Sequence, residues 1–324
     1  MSLRTFLTRH KKIILLILIV VLAVRVFVPQ MDALVDSLKA LADANPWWIL
    51  LAAILYFTGV PVMALQFTAI TFKKLVFALT LRVQAAALFV NKLVPQGVGT
   101  ISLNIYYFIK KGHTPSEATA AITLNAIAST SAYIVLIIFA LIFSDVSLGN
   151  ALADADFRLN FTALGLLCVI GIIITLYTAK GWRKKITASF KKLKTNLATY
   201  KERPKDVLVN TVLNGIGTSL NIFALILCAK AIGIDISFAD ALLAYTFGNF
   251  AATLVPTPGG IGSAEMGIYS GLVLTGIEPS VAISITLLYR FVSYWLPILP
   301  GYYYFRSLKK TLFADYNVKA KTTA

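Results

Sequence analysis

The chain has 324 residues, 58% of them hydrophobic and 14% charged, and a formal net charge of +16. Soluble domains average about 45–50% apolar and about 25% charged residues, and a single core of this size could not hide so much apolar surface. An ordinary soluble enzyme, a disordered chain and a disulfide-stapled secreted domain are therefore excluded. Cys168 and Cys228 both sit in apolar runs and imply no disulfide framework. His10 and His113 are the only histidines, and no CxxC, HExxH or EF-hand pattern occurs, so neither a metal site nor a cofactor is expected.

About 20 apolar residues cross a hydrocarbon core of about 30 Å. Residues 13–28 form a short first span, with Arg25 near its end, where a long basic side chain reaches the interface. The stretch follows Arg4, Arg9, Lys11 and Lys12, as a signal-peptide core would, but no small-x-small cleavage site follows cleanly. Residues 47–67 form the second span. Residues 75–109 are apolar but break at Val94-Pro95-Gln96-Gly97-Val98-Gly99. Spans three to five are 116–143, 161–179 and 207–229, with a basic loop at 180–206. Residues 238–275 break at Val255-Pro256-Thr257-Pro258-Gly259-Gly260-Ile261-Gly262, and 280–304 form the sixth span. Proline removes an amide donor and glycine opens non-helical backbone. Such backbone is tolerated at membrane depth only under protein or water. Each broken region reads as a re-entrant helical hairpin, the alternative being two kinked, tilted full spans. The expected fold is an all-α polytopic membrane protein in one domain over 1–324, with six spans and two hairpins.

The charges test this topology. With both termini cytoplasmic, the inside segments 1–12, 68–82, 110–117, 180–206 and 305–324 hold 24 of the 30 Lys and Arg. The outside segments 29–46, 144–160, 230–240 and 276–279 hold 3 basic and 9 acidic residues. This is the bias that orients proteins in a cell membrane. The basic excess is thus a topology signal, and nucleic acid is not an expected partner.

The two halves resemble each other. Leu93-Val94-Pro95 and Gly97-Val98-Gly99-Thr100 echo Leu254-Val255-Pro256 and Gly260-Ile261-Gly262-Ser263; Tyr106 matches Tyr269, and Gly112 with Pro115 matches Gly276 with Pro279. Pseudo-repeats over about 13–143 and 161–304 then run in opposite senses, a 3+3 inverted repeat whose broken elements point to a midplane site.

Glu265 and Arg290 carry the most information, because an ionisable group in hydrocarbon costs at least about 2.5–3.5 kcal/mol. Arg290 suits a phosphate headgroup, and Glu265 suits Arg290 or a cationic headgroup; a buried pair that fixes the second hairpin against span six is the structural alternative. Helix starts at Gly99-Thr100 and Gly262-Ser263 offer amides to an anion, or form tight turns. The candidate substrate-binding set is Arg290, Glu265, Lys92, Gly97, Gly99, Pro256, Pro258, Gly259, Gly260, Gly262, Asn249 and Tyr294. Lys92 is either a cavity cation or a side chain reaching to the cytoplasmic face, and Tyr294 either lines the path or joins an aromatic belt. Interhelical hydrogen bonds are the ordinary role of Asn125, Asn210 and Asn214. No nucleophile–His–acid set is present, so no catalytic residue is assigned.

The run Pro256-x-Pro258-Gly259-Gly260-x-Gly262-x-x-Glu265, followed by Gly276, Arg290 and Pro297, resembles the membrane domain of bacterial lysyl-phosphatidylglycerol synthase/flippase proteins and their stand-alone relatives. The resemblance implies movement of a phospholipid between leaflets. Aminoacyl transfer in such proteins belongs to a separate soluble domain. The first half departs from the pattern: a Gly-Glu after the first break and an arginine in the next span are replaced by Gly99-Thr100 and the neighbourhood of Asn125. The expected protein is a lipid translocase-like transporter whose partner is a membrane phospholipid or lipid-linked substrate. The alternative is a membrane subunit or enzyme of lipid modification that acts with a separate soluble partner, and self-association stays open.

Overall fold

The computed structural model describes residues 42–95, 97–143, 203–255 and 257–311. The expected spans 13–28 and 161–179, the loop up to residue 202, Arg25, Cys168, His10 and Pro256 lie outside the described residues. Regular structure among the described residues is helical: α1 (Pro46–Ile70), α2 (Phe77–Leu93), α3 (Val98–Lys110), α4 (Pro115–Phe143), α5 (Pro204–Ala231), α6 (Phe238–Leu254), α7 (Ser263–Leu274), α8 (Pro279–Arg290), a π-turn (Phe291–Trp295) and α9 (Ile298–Thr311). Among the described residues, four stretches are long and apolar enough to cross a bilayer: Pro46–Ile70, Pro115–Phe139, Pro204–Ala231 and Pro279–Leu308.

The long helices start where local chemistry starts them. The Asn45 side chain accepts the Trp47 amide at 3.0 Å, and Pro46 occupies the first turn, where a missing amide costs nothing. Pro204 and Pro279 open α5 and α8 in the same way. Their outer faces stay apolar: Leu50, Ile54, Ile134, Val135, Ile138, Leu208 and Val212 are exposed. On α4 the inward face is a row of small residues, Ala118, Ala121, Ala128 and Ala132, which lets neighbouring helices approach.

Helices α1 and α5 run antiparallel. The Asn45 amide donates to Ala231 O at 2.7 Å at one end, and Arg203 donates to Thr71 O at 3.4 Å at the other. Asparagines of α5 bond to both neighbours: Asn210 Nδ2 donates to the Gln66 backbone O of α1 at 2.8 Å, and Asn210 and Asn214 both donate to Asn125 Oδ1 of α4 at 3.3 Å. These asparagines therefore have the interhelical role expected of polar groups inside a bundle.

Each broken region is a pair of antiparallel helices. In the first, Thr80 Oγ1 meets Tyr107 Oη at 2.9 Å and Gln84 Nε2 donates to Asn104 Oδ1 at 2.8 Å. In the second, glycines replace polar groups: a Cβ on Gly248 would lie 2.6 Å from Ile268 Cγ1, and Cβ atoms on Gly267 and Gly271 would run into the backbone of Phe247 and Ala244. Both pairs end alike. Gly112 (φ +85°) and Gly276 (φ +89°) take left-handed backbone, and the next amides close back, His113 to Phe108 O at 3.0 Å and Ile277 to Leu272 O at 3.2 Å.

The hairpins open at opposite ends of the bundle. The first opens where Lys73 meets Gly112 and His113, beside Thr71 and Arg203. The second opens at the end that carries Ala231, where Phe223 packs on Phe238 with ring centroids 5.4 Å apart. Their tips meet: Pro95 and Pro258 pair as an antiparallel bridge, and the Gly259 amide donates to Val94 O at 3.0 Å. The halves also exchange supports. Helix α9 lies on α2, with Phe89 5.4 Å from Tyr302, and α4 meets α6 through Tyr133 and Tyr245, 6.2 Å apart.

The expected sixth span, 280–304, falls within the apolar stretch Pro279–Leu308, which is interrupted: α8 ends at Arg290, a π-turn follows, and α9 runs on to Thr311. Pro297 supplies the cause, because it has no amide to continue the ladder. The first post-break helix, Val98–Lys110, starts within one residue of the expected Gly99-Thr100 and is capped by Gly97 at φ +84°.

Candidate functional site at the hairpin tips

The tip junction gathers charged groups from three elements. Glu265 stands in the first turn of α7, capped by Gly262 at φ +81°, a backbone conformation that side chains beyond glycine rarely adopt. Arg290 is the last residue of α8. Its Nε donates to Glu265 Oε1 at 2.7 Å, and its Nη2 reaches Gly259 O at 3.4 Å. The arginine is buried, at 8% exposure, and Glu265 Oε2 is buried with no hydrogen-bond partner. The carboxylate thus spends one oxygen on the guanidinium and keeps the other.

Lys92, in the last turn of α2, points toward the other half rather than out to an interface. Its Nζ donates to Ser293 O at 2.9 Å and lies 4.7 Å from the centroid of the Tyr294 ring. The Arg290 guanidinium lies 4.7 Å from the same ring, so both cations use one aromatic face system. Tyr294 is buried at 5% exposure, which places it in the junction and not in an aromatic belt; Trp295 beside it is exposed. Gly259 makes this closeness possible. A Cβ there would fall 2.6 Å from Tyr294 Cε2 and 3.1 Å from Lys92 Cα.

Lys92, Gly259, Glu265, Arg290 and Tyr294 are therefore brought together, with Pro258 in the bridge beneath them. The remaining candidates shape the tips. Gly97 and Gly262 cap helices, and Gly99 sits where a Cβ would strike Asn91 and Val90 at 2.7–2.8 Å. Gly260 O accepts the Ala264 amide at 2.9 Å and Ser263 Oγ at 3.3 Å. Asn249 Nδ2 bonds its own helix at Tyr245 O, 3.0 Å away. Of the amides expected to face an anion, Thr100 N is engaged, donating to Asn91 Oδ1 at 2.9 Å.

Sequence reasoning missed three contributors. Asn91 caps α3 from the opposite leg of its hairpin; an asparagine just before a Pro-Gly break was the available signal. Ser293 acts through its carbonyl, which no residue type announces. Tyr245 packs edge-on against Tyr289 at 6.5 Å and stacks on Tyr133, an aromatic group in the turn before Arg290.

Long apolar helices with outward apolar faces, broken hairpins and a buried ion pair define a multi-pass helical membrane protein. The chain belongs to the family described as the lysylphosphatidylglycerol synthase TM region, whose model matches residues 13–301. A UPF0104 membrane protein of Pyrococcus horikoshii is similar over 72 residues at 38% identity, a stretch that covers 22% of this chain and 21% of that relative.

Proposed function

We propose that this chain binds a phospholipid or lipid-linked headgroup at the hairpin tips and moves it between leaflets. The observation that carries the reading is the junction itself: two cations, Lys92 and Arg290, against one carboxylate, with Glu265 Oε2 unengaged. A net positive site among apolar helices suits the phosphate of a headgroup. Its spare carboxylate oxygen suits a hydroxyl or ammonium on the same headgroup. The groups are costly to insert, at least about 2.5–3.5 kcal/mol each, which favours a working role. The membership in a lipid-related membrane family points the same way.

The hairpins enter from opposite ends and α1 opposes α5, which supports a 3+3 inverted repeat with re-entrant hairpins. In such an arrangement the tips lie near the midplane, and rocking of one half against the other exposes the junction to each side in turn. The headgroup would cross through the junction while its tails stay in lipid. Glu265 and Arg290 serve as ligands here, not as a catalytic pair.

Native mass spectrometry of the purified protein tests the binding. The wild type should retain phospholipid, and Arg290→Ala should retain several-fold less. Equal retention by both removes the junction from the account. Co-purification of a stable soluble lipid-modifying partner would favour the subunit reading instead.

A further inference from the structure

Pro297 leaves a specific carbonyl open. In a regular helix the amide of residue 297 would donate to the carbonyl of residue 293, and proline has no amide hydrogen. The π-turn carries the chain past this point, with Leu296 N donating to Phe291 O at 2.9 Å. Ser293 O is then met from the other half of the molecule, by Lys92 Nζ at 2.9 Å. Among the described residues Lys92 has no carboxylate within ion-pair distance. Its ammonium rests on a neutral carbonyl and on the Tyr294 ring.

We infer that Lys92 is a transferable ligand: it caps the Ser293 carbonyl when the junction is empty and moves onto the phosphate when a headgroup binds. The inference rests on the junction being a headgroup site. A charge-assisted bond to a phosphate oxygen is roughly twice as strong as one between neutral groups, so the transfer is downhill once the anion arrives. The distance to travel is small, because Lys92 and Arg290 already share the Tyr294 ring. Binding then removes one of the ties between the halves, while the Gly259–Val94 bond and the Pro95–Pro258 bridge remain. The headgroup thereby loosens the junction it occupies, which couples occupancy to the rocking of one half on the other.

The test is a titration of the purified protein with short-chain phosphatidylglycerol and, in parallel, with inorganic phosphate. Lys92→Gln keeps a donor for Ser293 O and loses the charge. Its unfolding temperature should stay close to wild type while lipid affinity falls about tenfold. Lys92→Leu should lose both affinity and thermal stability. Pro297→Ala returns an amide to Ser293 O, so affinity should rise several-fold, and the rise should vanish when Lys92→Gln is added. Wild-type affinity in Lys92→Gln, or a Pro297→Ala gain that survives loss of Lys92, overturns the inference. Should Pro297→Ala fail to fold, the contrast between the two Lys92 variants decides. Arg290→Ala separates the two levels: lost binding there with Lys92→Gln unaffected keeps the headgroup site and sinks the transfer, and no loss in Arg290→Ala sinks the site. A response confined to the lipid supports a membrane source for the anion, and an equal response to phosphate overturns that source.

Discussion

A methyl group is enough to separate two glycines of the second tip. Gly259 (φ +61°) and Gly262 (φ +81°) both hold left-handed backbone, but open space surrounds Gly262, while Gly259 is pressed between Tyr294 and Lys92. Gly262→Ala should cost only backbone strain, about 1–3 kcal/mol. Gly259→Ala adds a collision with an aromatic ring and should lower the unfolding temperature in detergent distinctly further. Equal shifts would mean that the tip repacks freely around Tyr294. Glu265 and Arg290 were legible in the sequence, because charge inside apolar runs has few explanations. Their bond was one of two readings the sequence left open, since 25 residues separate them and only the packing of α7 on α8 closes the gap. The Lys92 contact was still less legible: its acceptor is a backbone carbonyl 201 residues away, exposed by a proline four positions beyond it.

At the scale of elements, the two hairpins close by different means along their legs, although Gly99 also brings backbones together at the first tip. The first uses side-chain hydrogen bonds, Gln84 to Asn104 and Thr80 to Tyr107; the second brings backbones together at Gly248, Gly267 and Gly271. Gln84 and Asn104 are fully buried, so removing Gln84 leaves Asn104 Oδ1 without its donor, while Asn104 Nδ2 keeps its bond to Thr100 O. Gln84→Leu should destabilise by about 1–3 kcal/mol, and Gln84→Leu with Asn104→Leu should recover part of that loss. Thermal unfolding of the two variants checks it; a double variant that is worse by the full sum would show that the amides do not act as a pair. Glycine, proline and the length of the apolar runs announced both breaks, because those residues act on local backbone. The reversal of direction at each break was left open against a kink, because it depends on which faces attract each other across the turn. The π-turn after Arg290 escaped for a related reason: the periodicity of an apolar helix does not reveal one inserted residue in its ladder.

At the scale of the molecule, charge and shape agree. Segments rich in lysine and arginine around Lys73, Gly112 and Arg203 touch one another at one end, while Asn45 and Ala231 meet at the other. The sorting of charge in the sequence anticipated that division without any knowledge of contacts, because lysine and arginine are expensive on the wrong side. The tip-to-tip meeting of the hairpins was beyond it, as both partners are short loops joined by backbone. This junction is the place where opposite halves of the chain share one set of charges, and the proposed transport depends on it. The direct measurement is the movement of a labelled phospholipid across the bilayer of proteoliposomes that hold the wild type, Arg290→Ala or Glu265→Gln. Rapid exchange between leaflets with the wild type, falling at least tenfold with Arg290→Ala and clearly with Glu265→Gln, is the predicted result; lipid movement unchanged by both substitutions would contradict it.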